Sequence, residues 1–104
     1  MKAKETNSRI IIDKMLREAG WGLPGYVEDK DINAETEIVN DFGEADYVLL
    51  SSKENHICTV EAKNHLKSPL EGKEQARDYA NDLKSRFIIL SNGISHYLWD
   101  LKQG

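Results

Sequence analysis

The chain has 104 residues, 39% hydrophobic and 31% charged, which is the size and composition of one folded domain rather than a disordered segment. Its one cysteine, Cys58, excludes an internal disulfide framework and a cysteine-rich zinc site, and no apolar run approaches the ~20 residues of a membrane-spanning helix. The net charge of −4 excludes the strongly basic signature of a simple nucleic-acid binder; residues 1–52 hold 6 Lys/Arg against 11 Asp/Glu and residues 53–104 hold 8 against 7, so the acidic excess lies in the first half.

Residues 6–19 read as a helix, with Ile12, Met15, Leu16 and Ala19 recurring at helical spacing and Gly20 suited to a left-handed C-terminal cap. Trp21 and Leu23 are expected to fold back on the core, and Gly22-Leu23-Pro24-Gly25 reads as a turn. Residues 35–41 form a weakly marked strand, and Asp41-Phe42-Gly43-Glu44 a hairpin connection. Ala45 to Ser51 and His56 to Lys63 are β-rich strands around a turn at Ser52-Lys53-Glu54-Asn55. Ser68-Pro69-Leu70-Glu71 has the form of a capping box opening a helix that runs to about Leu83 or Lys84, with Ala76, Tyr79, Ala80 and Leu83 inward. Phe87 to Leu90 is an apolar strand, Asn92-Gly93 a hairpin turn, and His96 to Leu101 the returning strand, with Tyr97 and Trp99 on one face. Helix, three strands, helix, two strands describes an α/β or α+β domain, and the second helix is long enough to cross between parallel strands.

Chemistry concentrates at Val60-Glu61-Ala62-Lys63, where Glu61 and Lys63 project from one strand face and Cys58, Val60 and Ala62 from the other. Asp46 opens the preceding strand, so an antiparallel hairpin brings it to Glu61. Two adjacent carboxylates repel unless a cation sits between them, and a hard ion such as Mg²⁺ suits these oxygens. A lysine beside the ion orients or deprotonates a water, or stabilises charge growing on a phosphate. The plainer alternative is a turn aspartate next to a surface Glu61–Lys63 pair. Gln75 and Tyr79, four apart, share a helix face, where a buried glutamine would need partners such as Glu61, Lys63 or a phosphate. Glu5 lies two helical turns before Ile12 and is a further candidate ligand, or else a solvated residue at the helix end. His56, His65 and His96 are too scattered for a metal set.

Asp46 followed by Glu61-Ala62-Lys63 resembles the PD-(D/E)xK nuclease signature, and Gln75-Ala76-Arg77-Asp78-Tyr79 resembles the QxxxY element of type I restriction enzymes and RecB-like nucleases. Arg9 to Trp21, Ala45 to Leu50, Leu90-Ser91-Asn92-Gly93 and Trp99-Asp100-Leu101 extend the resemblance, over nearly the whole chain, to the N-terminal nuclease domain of the type I restriction endonuclease R subunit (HsdR). Ala45 stands where the older motif has proline, as is usual in that subfamily.

The resemblance implies a restriction-endonuclease-like fold, a mixed central sheet flanked by helices in the order αβββαβ plus a C-terminal hairpin strand. It implies a single nuclease domain over residues 1–104, part of a larger subunit or a stand-alone relative. The expected activity is Mg²⁺-dependent hydrolysis of phosphodiester bonds in double-stranded DNA, with Mn²⁺ able to substitute. Asp46 and Glu61 would bind the metal with the Ala62 carbonyl, Glu5 being a further candidate; Lys63 would position or activate the attacking water; Gln75 and Tyr79 would support the site or contact DNA. The expected partners are ATP-dependent translocase domains and methylation/specificity subunits, in a cytoplasmic setting away from membranes. These residues contain no Gly-rich loop ending in Gly-Lys-Ser/Thr, hence no ATP site of that kind. The competing readings are a repair or junction nuclease of the same superfamily, and a non-catalytic nuclease-fold module for DNA binding or assembly.

Overall fold

The computed structural model describes residues 3–41, 43–52, 55–63 and 72–102, with the side chains of residues 3–7 and 40 outside that description. The elements are α1 (Ala3–Glu18), a short 3-10 turn (Asp29–Asp31), β1 (Ala34–Asn40), β2 (Gly43–Ser52), β3 (Asn55–Ala62), α2 (Lys73–Leu83), β4 (Phe87–Ser91) and β5 (His96–Asp100). The strands form one five-stranded sheet in chain order, antiparallel throughout except for the parallel β3–β4 pair that α2 connects. This is the mixed sheet and αβββαβ order expected, with β5 as the added hairpin strand.

Each helix covers one face. Ile12 and Leu16 of α1 pack with Tyr47, Leu49, Cys58, Val60 and Ala62. On the other face α2 sets Ala76 and Ala80 against Ile88 and Leu90, and Tyr79 against Ala45 and Val48. A parallel strand between two helices is buried on both sides, and β3 is accordingly buried from Cys58 to Ala62. Truncating a fully buried side chain such as Leu90 costs about 2–5 kcal/mol in cores of this kind.

The punctuation behaves largely as read. Gly20 closes α1 at φ +100, and the Tyr26 N–H donates to the Leu23 carbonyl in the turn after it. Leu23 is buried and Trp21 packs against the same core. Two features differ. Met15 and Ala19 are exposed, because the apolar contact of α1 with the sheet runs through Ile12 and Leu16; Met15 and Ala19 instead rim an apolar groove of about 280 Å³. The β4–β5 connection spans residues 92–95 rather than two residues, because the Asn92 side chain accepts the N–H groups of Ile94 and Ser95 and widens the turn. The capping box at Ser68, Pro69 and Glu71 lies outside the described residues, where α2 opens from Gly72. At its other end α2 stops at Lys84 in the left-handed conformation, with His56 Nδ1 2.7 Å from the Leu83 carbonyl oxygen.

Candidate active site

β2 and β3 pair antiparallel with Tyr47 opposite Val60, so the next step toward the sheet end puts Asp46 opposite Glu61. Each carboxylate is held by the other residue's strand. Glu61 Oε1 accepts the Asp46 N–H at 3.1 Å, and Asp46 Oδ2 accepts the Ala62 N–H at 2.8 Å. Strand alternation sends Val60 and Ala62 into the α1 core and leaves Glu61 on the α2 face.

Glu61 is only 4% exposed. Burial first, and the facing Asp46 second, hold its carboxyl well above the usual carboxylate range, with Lys63 pulling the other way. Such a group releases its proton readily only when a cation arrives.

The lysine is tied to α2. Lys63 Nζ donates to Gln75 Oε1 at 3.4 Å, and Gln75 Nε2 donates to the Tyr79 hydroxyl at 2.7 Å. The relay orients the amide, oxygen to the ammonium and nitrogen to the phenol. Gln75 is exposed rather than buried, because it stands on the early turns of α2 beside the mouth of the site; Tyr79, one turn on, is buried over Ala45 and Val48. Burial raises the Tyr79 hydroxyl's pKa, opposed by Gln75 and reinforced by Glu61, Asp46 and Glu44.

The structure thus brings together Asp46, Glu61, Ala62, Lys63, Gln75 and Tyr79. Glu5 lies in the first turns of α1, its side chain outside the described residues, as is all of His65. His96 stands apart from the carboxylates, with Nδ1 2.6 Å from Ser91 Oγ, and Cys58 is core, its thiol pushed up to about 12 by burial. Among the described residues no group of three or more His, Cys, Asp or Glu side chains gathers around one point. The donor set is two carboxylates and a carbonyl, all hard oxygens, and the buried, strongly perturbed Glu61 facing Asp46 fits a divalent cation.

Three contributors escaped the sequence reading. Arg9 of α1 pairs with Glu37 at 3.1 Å and lies over the Tyr47 ring; burial opposes its charge, but Tyr47, Glu37 and Asp46 outweigh it. Its position four residues after Glu5 and three before Ile12 was the available signal. A Cβ on Gly72 would stand 2.5 Å from Lys63 Cε, and one on Gly43 would stand 2.7 Å from the Tyr79 hydroxyl. Neither glycine announces such a contact in sequence.

The family of type I restriction enzyme R protein N termini matches residues 11–104. Among solved structures, a fragment described as a candidate HsdR subunit of a type I restriction enzyme from Vibrio vulnificus YJ016 superposes with a TM-score of 0.80 at 25% identity. The match covers 100% of this chain and 22% of that one, so the chain spans about a fifth of the solved fragment's length. A search of curated proteins finds no match.

Proposed function

The chain belongs to the type I restriction enzyme R protein N-terminus family, and on that premise we propose that it is a metal-dependent DNA endonuclease domain. The observation that carries this reading is the Asp46–Glu61 carboxylate pair, held by reciprocal backbone hydrogen bonds beside the Lys63–Gln75–Tyr79 relay.

Asp46 and Glu61, with the Ala62 carbonyl, would hold Mg²⁺ or Mn²⁺, and Glu5 is proposed as a further ligand. The ion, when bound, supplies Lewis acidity toward a phosphodiester oxygen. Lys63 orients the attacking water and stabilises negative charge on the phosphate. Gln75 fixes the lysine's reach, and Tyr79 fixes Gln75. Arg9 holds positive charge close to Asp46.

Double-stranded DNA is the proposed substrate. Translocase domains and methylation/specificity subunits are the proposed partners, within a single nuclease domain covering the 104 residues and acting in the cytoplasm. Among the described residues no helix is long and apolar enough to cross a membrane. The net charge of −4 implies that other domains or subunits supply most of the grip on DNA.

Nicking of supercoiled duplex DNA in Mg²⁺ tests the proposal. Asp46→Ala and Glu61→Ala should each abolish it, and Lys63→Ala should slow it by about 100-fold or more, while the fold persists. Cleavage that survives all three substitutions overturns it.

A further inference from the structure

We infer that Tyr97 and Trp99 form a stacking platform for an unpaired nucleobase of DNA, next to the bond cut at the carboxylate pair. The inference rests on the nuclease reading and narrows it, because a base inside a duplex has both faces covered and only an unpaired one stacks on a side chain.

Placement is the first support. Glu61 pairs with Leu90 across β3–β4, and Leu90 with Tyr97 across β4–β5. Tyr97 therefore lies in the same cross-strand row as Glu61, two strand spacings or roughly 10 Å away. Leu90 packs under α2 together with Trp99, so the row and the aromatic pair share the α2 face. A nucleotide whose phosphate sits at the carboxylates has a neighbouring base within that reach.

A continuous run of contacts joins the two places. Lys63 lies against Gly72, the next residue is Lys73, and the Lys73 ammonium is 5.4 Å from the centre of the Trp99 ring. Two ammonium groups thus mark a path for successive phosphates from the site to the rings.

Ring geometry is the third support. Tyr97 and Trp99 stack with centroids 5.8 Å apart and planes at 26°. Trp99 is anchored on the α2 core while Tyr97 is 41% exposed, so one ring braces the other. β5 is the edge of the sheet among the described residues, which leaves the outer ring approachable. Braced aromatic rings beside cations are how single strands are held without regard to sequence.

Binding of a labelled, short single-stranded oligonucleotide, followed by anisotropy in EDTA, tests this without cleavage. Stacking of one base predicts that Tyr97→Ala weakens binding about tenfold, that Tyr97→Phe binds as the parent does, and that an abasic strand of equal length binds weakly to all three proteins. Equal binding by Tyr97→Ala and the parent overturns the inference, as does an abasic strand that binds as tightly as the natural one. Absence of nicking in Mg²⁺ together with Tyr97-dependent binding would remove the nuclease reading and leave the platform standing.

Discussion

Asp46 and Glu61 are each held by the backbone of the other's strand: the Glu61 carboxylate accepts the Asp46 N–H at 3.1 Å, and the Asp46 carboxylate accepts the Ala62 N–H at 2.8 Å. The strand register therefore fixes both oxygens before any ion binds. The same register brings two carboxylates together, one of them buried beneath α2.

The metal-free protein should consequently be stabilised by Glu61→Gln. Burial, then Asp46, raises the Glu61 pKa on folding, so the native state binds a proton that the unfolded chain releases. Stability from this group is complete below the ordinary carboxylate pKa and falls as pH rises toward the raised value. In EDTA at about pH 8 the variant should gain on the order of 1–3 kcal/mol over the parent, and at about pH 5 the gap should shrink. Thermal melts at the two pH values check the sign. Mg²⁺ should stabilise the parent at the higher pH and leave Glu61→Gln unmoved.

Gly72→Ala should damage activity more than stability. The backbone at Gly72 has φ −96, which any residue adopts, and among the described residues the new methyl meets first the flexible end of Lys63, 2.5 Å away. Lys63 moves, and the cost appears in cleavage rate rather than in the melting temperature. Gly43→Ala should lower stability as well as activity. Its φ of +134 strains an alanine backbone, and its Cβ would press on the Tyr79 hydroxyl, so unfolding free energy should fall by about 1–3 kcal/mol. Melting curves beside nicking rates for the two variants separate these outcomes.

The sheet, both helices and the Asp46–Glu61 meeting were legible because period-two strands and a short hairpin leave one register that buries Tyr47 and Val60 together. The parallel β3–β4 pair followed from the length of the α2 crossover. What stayed hidden depends on tertiary distance. Arg9 reads in sequence as one more charge on a helix, and only packing against Tyr47 and Glu37 draws it to the site. Gly72 reads as a helix-entry residue, and its closeness to Lys63 arises only when α2 folds over β3. Met15 fits the helical stripe yet is exposed, because periodicity gives a face without saying how wide a sheet lies beneath it.

Tyr79→Phe should act through Lys63. The change removes the hydroxyl that accepts from Gln75 Nε2 and should cost about 1 kcal/mol of stability. With Gln75 free to turn, the lysine loses its partner at 3.4 Å and cleavage slows. In a Lys63→Ala background Tyr79→Phe should slow cleavage no further, since groups acting in one network are non-additive. A double-mutant cycle on nicking rates measures that coupling.

The most direct test separates metal binding from chemistry in Lys63→Ala. Titration calorimetry with Mn²⁺ and single-turnover nicking of duplex DNA are read on the same preparation. The account predicts that the ion binds as in the parent, through the Asp46 and Glu61 carboxylates, while nicking slows by about 100-fold or more. Nicking at the parent's rate in Lys63→Ala would contradict it.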